Sequence, residues 1–337
     1  MDTMLLNPSV HHPLEIVPPD EAEMIEQVIA LQLEIMKSRQ DPKKRGQHPK
    51  HQALLRGFFD VSDRVPDHLR SGVFAKPRRF HAVIRLSTGP APKDCDPNPH
   101  GMAIKLIDVA GSPTRTQNFV MLDQPTFFIR DMAEYVTLFQ AMVGGDAGQL
   151  DYFRTHRREF GLSQAFNVVI ASQLERQYWS EVPIAMNGGA ARLTVIPGVE
   201  NVSGRGPATT SDGLRGALED FFVEQGRAAS FAFGAQAYVD QRTTPIEDAT
   251  SVWPTPFEII ATLTIPAQDF TSAQQFTFGE NLAFTPWHCV PEHRPLGGIQ
   301  RCRKRVYEES ARLRHTLNQV ELREPTLADL GRLAPIT

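Results

Sequence analysis

Cysteine is scarce in this chain: Cys95, Cys289 and Cys302 are the three among 337 residues. That usage excludes a disulfide scaffold and suits a reducing compartment. An excess of one charge is missing too. Against 39 Asp and Glu stand 35 Lys and Arg, a formal net charge of −4, so no global basic field draws the chain to nucleic acid or anionic lipid. No apolar run approaches the ~20 residues that cross a bilayer. The opening Met1-Asp2-Thr3-Met4-Leu5-Leu6 has neither the basic nor the long apolar segment of a signal peptide. Gly144-Gly145-Asp146-Ala147-Gly148 does not sit between strand and helix as a dinucleotide loop must. What is present is 41% apolar residues, enough for a large core in one big domain or two ordinary ones. The expectation is a cytoplasmic globular protein that spans no membrane and binds no nucleic acid.

Residues 1–19 are dotted with Pro and His and read as an extended arm. Asp20 and Glu23 resemble a capping box, and Ile25, Val28, Ile29 and Met36 follow at helical spacing, so a helix is expected to end before Pro42. Lys43 to His51 is polar and basic and reads as a solvated linker. Strand-like runs follow at 57–61, 80–87, 101–109 and 118–122, then a largely helical stretch at 131–182 broken at Gly144-Gly145, then strands at 191–196, 229–239 and 257–265. A helix rich in Arg and Glu is expected over about 299–319. Many non-local strands with helices at both ends indicate an α+β fold around an antiparallel barrel or sandwich. An arm-and-helix segment (1–40) would precede the main domain (41–337).

Four features carry possible chemistry. Arg303 and Tyr307 are four apart on the last helix, hence on one face, and a guanidinium beside a phenol favours the phenolate, a hard ligand for ferric iron. A lone Arg-x-x-x-Tyr is more often a packed tyrosine with a snorkelling arginine. Phe80 to Ser87 alternates cleanly: Phe80, Ala82, Ile84 and Leu86 on one side, His81, Val83, Arg85 and Ser87 on the other. The second side is that of a strand lining a polar-edged pocket or facing solvent. Arg45-x-x-His48, with His51 nearby, offers a general base but too few ligands for a metal. Pro125-Thr126-Phe127-Phe128-Ile129-Arg130-Asp131 has an aromatic pair able to wall a flat ligand or fill a core.

Taken in order, these stretches resemble the haem catalases, and more closely their short relatives, the catalase-related peroxidases (minicatalases), a group to which the coral allene oxide synthase domain is also similar. Arg45-Gly46-Gln47-His48 resembles the segment in which Arg precedes the distal His by three. Ile84-Arg85-Leu86-Ser87-Thr88 resembles V-R-F-S-T, and His100-Gly101-Met102-Ala103-Ile104-Lys105-Leu106 resembles R-G-F-A-V-K-F. Pro125 to Asp131 resembles P-x-F-F-I-R-D, and Pro295 to Tyr307 resembles the proximal helix of the short relatives.

The resemblance implies a catalase-like antiparallel β-barrel with helical insertions, an N-terminal arm and helix, and a C-terminal proximal haem helix. It implies Tyr307 as axial ligand to ferric haem b, with Arg303 keeping its phenolate ionised. His48 would be the distal acid/base, with His51 as the alternative, and Ser87 would orient it. Arg45 and Arg85 would pair with the propionates, and Phe127 and Tyr135 would pack on the porphyrin. The implied activity is reduction of organic hydroperoxides, and weakly of hydrogen peroxide, through a ferryl intermediate and a small-molecule reductant. The alternatives are a fatty-acid hydroperoxide isomerase, a small true catalase and a non-catalytic haem-binding protein. Catalases carry an Asn just before P-x-F-F that positions peroxide, and here its candidate positions hold Leu122 and Asp123, with Asp123 the catalytic candidate. The chain is also shorter than a catalase subunit, which predicts a wider entrance. A homodimer exchanging N-terminal arms is expected.

Overall fold

The computed structural model describes residues 7, 10–39, 41 and 43–336. Helices are α1 (Glu21–Ser38), α2 (Met132–Val143), α3 (Gly145–Thr155), α4 (Arg157–Gln164), α5 (Gly213–Glu219), α6 (Ala273–Asn281), α7 (Gly298–Asn318) and α8 (Leu327–Leu330). Strands are β1 (Lys50–Val61), β2 (Arg78–Thr88), β3 (His100–Ile107), β4 (Thr116–Leu122), β5 (Tyr178–Trp179), β6 (Ile184–Met186), β7 (Gly189–Pro197), β8 (Ala229–Ala237) and β9 (Phe257–Ile265).

The strands follow the order β5-β4-β3-β2-β1-β9-β8-β7-β6, and β5 also pairs with β7. That extra pairing closes eight strands into an antiparallel barrel and leaves β6 as a short hairpin arm on β7. Closure removes the exposed edges an open sheet would present. The interior is packed with apolar side chains: Phe59, Phe74, Phe119 and Phe233 meet with ring centroids 4.9–6.2 Å apart. The four residues of β2 expected on its apolar face (Phe80, Ala82, Ile84, Leu86) belong to this interior cluster. Arg85 and Ser87 therefore point out of the barrel, toward the helices that cover it.

A second cluster joins α1, α2 and α7 through Val28, Ile29, Met132, Phe139, Ile299, Cys302 and Val306. Here the arm is fastened to α7. Arg301, 1% exposed, donates to both oxygens of Glu21 at 2.7 Å, to Glu15 at 2.6 Å and to Glu247 at 3.2 Å. Glu15 and Glu247 also accept the backbone N–H groups of Gly297 (2.9 Å) and Gly298 (2.7 Å), so two carboxylates face the positive end of α7. Gly297 has φ of +91°, and a Cβ there would stand 2.8 Å from the Ile246 carbonyl, so the turn into α7 requires glycine. Among the described residues, no helix is long and apolar enough to cross a membrane.

Several expected boundaries moved. Lys50 and His51 begin β1 instead of ending a solvated linker, because His51 is covered by α6, its ring 4.8 Å from that of Phe276. Helix stops at Gln164; residues 165–182 hold no further α-helix, only one 3-10 turn (Gln173–Glu175), and they supply β5, the strand that closes the barrel. The break at Gly144-Gly145 separates α2 from α3 as expected. Asp20 is the N-cap of α1 but makes no side-chain capping bond. Residues 1–6, 8, 9, Gln40, Pro42 and Thr337 lie outside the described residues.

Candidate functional site

The expected site residues come from four parts of the chain: the segment leading into β1, the outward face of β2–β4, the stretch from Phe127 into α2, and α7. His48 lies two residues ahead of β1 with φ of +49°, a strained conformation for a branched-ring residue. Its carbonyl accepts from Arg85 Nη2 at 3.1 Å, which ties the loop to β2. Across the sheet, Ser87 pairs with Gly101 and Gly101 with Leu122, so the three residues form one row on one face. A Cβ on Gly101 would stand 3.0 Å from His48 Nδ1 and 3.2 Å from Ser87 Oγ. The missing side chain is what lets the imidazole lie against the row. His48 Nδ1 and Ser87 are thus neighbours, yet the hydrogen bond expected between them is not formed, and Nδ1 has no partner. Burial first, then Arg85, pushes the His48 imidazole down to about 3, so it is neutral at ordinary pH.

Alternation separates the two residues at the expected amide position. Leu122 belongs to the row beside His48. Asp123 points elsewhere: its Oδ2 lies 3.0 Å from His100 Nδ1 and 3.3 Å from Arg176 Nη2, and its Oδ1 accepts the His100 backbone N–H at 3.1 Å. The buried carboxylate is fully engaged by these neighbours. A leucine, with no donor, is the next residue along this row, one strand beyond the Gly101 that the imidazole lies against.

His51 has a different environment from His48. Its Nδ1 lies 3.3 Å from Glu280 Oε1, and burial with the Arg85 and Arg45 charges holds its imidazole near 4 despite that carboxylate. Glu280, at the end of α6, is the hub of a buried cationic cluster. Its Oε1 lies 3.6 Å from Arg45 Nη1 and 3.7 Å from Arg85 Nη2. Arg314, on α7, donates to the Glu280 carbonyl at 2.5 Å and the Leu282 carbonyl at 3.2 Å; Arg45 donates to the carbonyls of Gly279 (3.1 Å) and Leu282. Burial would raise Glu280, but the close His51 ring and the arginines overrule it and hold the carboxyl down at about 2. Burial and Arg45 push Arg85 well below its ordinary value and Arg314 down to about 9. Arg45 Nη1, Arg85 Nε and Glu280 Oε1 make no hydrogen bond.

Three guanidiniums against one carboxylate leave an uncompensated positive charge in a buried place. Arg45 and Arg85 are therefore not unpartnered, as burial alone would suggest, but under-compensated. Arg314 was not singled out from the sequence. Its signal is its spacing: seven residues beyond Tyr307 and eleven beyond Arg303, it stays on the same face of α7.

At the other end of that face, Arg303 is 7% exposed and stands over the Phe127 ring at 5.4 Å. Burial would lower its guanidinium, but Tyr307 and Glu181 raise it, so Arg303 is a firm cation between two acidic groups. Phe127 meets Tyr135 edge-on at 5.9 Å, and burial pushes the Tyr135 phenol up. Tyr307 is half-buried, between the Arg303 and Arg314 ends of the helix face.

The donor set fits a ferric haem. Tyr307 offers a phenolic oxygen on the same helix face as the buried Arg303 cation, and Phe127 and Tyr135 offer flat apolar contact. Arg45, Arg85 and Arg314, less the charge of Glu280, carry two surplus positive charges, the complement of two propionates, with orphaned donors on Arg45 and Arg85 to receive them.

No family model matches this chain, and no curated protein matches it by sequence. Solved structures do. A fungal catalase is 18% identical with a TM-score of 0.65, covering 80% of this chain and 59% of its own. Catalase A from Saccharomyces cerevisiae is 19% identical with a TM-score of 0.65, covering 80% and 61%. A bacterial catalase is 14% identical with a TM-score of 0.63, covering 90% and 62%. This chain spans about three fifths of the length of the catalases it matches, and its fold is theirs: a closed antiparallel barrel of eight strands dressed with helices.

Proposed function

We propose that the chain is a haem-dependent oxidoreductase of catalase type that uses organic hydroperoxides in preference to hydrogen peroxide. The observation that carries the reading is the row Ser87–Gly101–Leu122 beside an unpartnered, neutral His48. When bound, a ferric haem would relay electrons from a small-molecule reductant to the hydroperoxide, which ends as an alcohol and water. The residues of the chain bind it and manage the proton. Tyr307 would hold the iron through its phenolic oxygen, beside the Arg303 guanidinium, and Arg45, Arg85 and Arg314 would take the propionates. Neutral His48 takes the hydroperoxide proton and returns it to the departing oxygen, so that an alcohol or water leaves instead of an anion. Ser87 Oγ can steer the ring through the open Nδ1.

Leu122 favours an organic substrate for two reasons. It offers no second hydrogen bond to hydrogen peroxide, the smallest substrate, which depends wholly on polar contacts. It also offers apolar surface to an alkyl group, worth about 0.8 kcal/mol for each CH₂ it buries.

The test is the visible spectrum of the haemin-supplemented protein beside its Tyr307→Phe variant, followed by turnover of an alkyl hydroperoxide with a phenolic reductant and by oxygen evolution from hydrogen peroxide. A high-spin ferric spectrum of phenolate type, lost in the variant, with alkyl hydroperoxide turnover above oxygen evolution, is expected. No haem uptake, or identical spectra, overturns the reading. Turnover of a fatty-acid hydroperoxide without any reductant would move the activity to an isomerase.

A further inference from the structure

Glu181 sits in a costly setting. It lies between β5 and β6, is 1% exposed, and holds φ of +60°, a left-handed conformation that costs a side-chain-bearing residue of order 1 kcal/mol or more. Its Oε1 has no hydrogen-bond partner. Its Oε2 lies 3.6 Å from Arg303 Nη2, close enough for strong Coulombic attraction and too far for a good hydrogen bond. The other charged or titratable groups that act on it or feel it are Asp123 at the end of β4, Arg192 on β7 and Tyr135 on α2. Two of these are occupied elsewhere. Asp123 is held by His100 and Arg176, and Arg192 donates to the carbonyls of Ser251 (2.5 Å) and Asp248 (3.2 Å) under the Trp253 ring. Among the described residues, Arg303 is the one cation Glu181 meets in an ion pair, and Arg303 is also the cation beside Tyr307.

We propose that Glu181 is a positioning residue for the proximal side: it shares the Arg303 guanidinium with the Tyr307 phenolic oxygen and so sets how much positive charge the axial ligand receives. The proposal rests on the haem reading above and names a control on that same site. With Glu181 ionised, one guanidinium serves two anions and the proximal side is electron-rich. With Glu181 protonated, the guanidinium serves Tyr307 alone. Burial first, against the pull of Arg303, pushes the Glu181 carboxyl up to about 8, so both forms are populated near neutral pH. Strain and an orphaned oxygen in a buried place are what a functional group pays for, and a purely structural position would relax them through an ordinary apolar residue.

The experiment compares haemin-loaded wild type with Glu181→Gln, which keeps shape and removes the charge. The ferric/ferrous reduction potential and the visible spectrum are followed between about pH 6 and 9, the range around a raised carboxyl. The wild-type potential is expected to fall as pH rises through this range. The variant is expected to sit above it at high pH and to lose the inflection, since a negative charge near the iron favours the ferric form. In the haem-free wild type, infrared titration is expected to show a protonated buried carboxyl disappearing over the same range. That measurement needs no variant and still decides the matter if Glu181→Gln fails to fold. Normal phenolate-type spectra with identical potential profiles in both proteins overturn the proposal and leave the haem reading intact. Failure of the wild type to take up haem overturns both. Absence of any carboxyl titrating in this range in the haem-free wild type overturns the proposal alone.

Discussion

Arg45 and Arg314, drawn from opposite ends of the chain, donate to the same carbonyl oxygen, that of Leu282. Neither guanidinium would choose the company of the other, and Arg85 adds a third. The fold holds the three together around Glu280, and the surplus charge is what gives the place its use: a dianionic ligand would satisfy it.

Replacing Arg314 by Leu is accordingly expected to separate the bound from the free protein. A hydrogen bond to a charged group is worth about 1.5–3 kcal/mol, so haem affinity should fall about 10- to 100-fold. The haem-free protein should lose little stability, because Leu282 keeps Arg45 and the repulsion among the arginines eases. Haemin titration and denaturation of the free protein check the two halves; equal loss in both would mean that Arg314 is merely structural.

Leu122→Asn places a donor on the row beside His48. Oxygen evolution from hydrogen peroxide should rise about tenfold or more, given what one well-placed hydrogen-bond donor contributes to catalysis, while alkyl hydroperoxide turnover falls. The ratio of the two rates in one preparation is the readout. Asp123→Asn, by contrast, should change that ratio little and loosen the His100–Arg176 cluster.

His48→Gln should slow hydroperoxide turnover by about 10²- to 10⁴-fold while leaving the ferric spectrum in place. The same histidine shapes acid stability. His48 is held near 3, and His51 and His293 near 4, below the ordinary histidine value; His293 Nε2, fully buried, accepts the Val73 N–H at 3.1 Å. Between about pH 6.5 and 4 these three are protonated in the unfolded chain and neutral in the folded one, so unfolding takes up protons and stability falls as pH drops. Below about 4.5, Glu280 and Glu324, both held down near 2, add to the loss. Denaturation midpoints measured across this range, with calorimetry in two buffers to count protons, should show net proton uptake on unfolding near pH 5, the three rings outweighing the proton that Glu181 gives up. A flat profile would contradict the buried, neutral state of these rings.

Arg301→Met should be severe. It leaves Glu15, Glu21 and Glu247 facing one another with little compensation at the start of α7, and breaking a buried ion cluster by removing one partner costs about 3–5 kcal/mol. Arg301→Lys should recover only part, since a single ammonium cannot serve three carboxylates in the forked pattern. Denaturant unfolding of both variants gives the comparison.

Local periodicity in the sequence determined which face of β2 enters the barrel and which carries Arg85 and Ser87, because strand alternation leaves only two choices and the apolar set occupies one. It also determined that Arg303 and Tyr307 share a face of the last helix, and the order of the strands on either side of the helical insert. Composition misread Lys43 to His51, since the partners that bury His51 lie on α6, far along the chain. The tertiary structure alone decided the rest. Whether Leu122 or Asp123 stands beside His48 depends on which of them pairs with Gly101, a matter of register between strands. That three arginines surround Glu280, that Glu181 meets Arg303, and that Glu15 and Glu21 clamp Arg301 are all encounters between segments tens to hundreds of residues apart. A sequence fixes local geometry through steric and periodic rules, but buried charges acquire their chemistry from whatever the fold sets against them, and those neighbours are chosen only when the barrel closes.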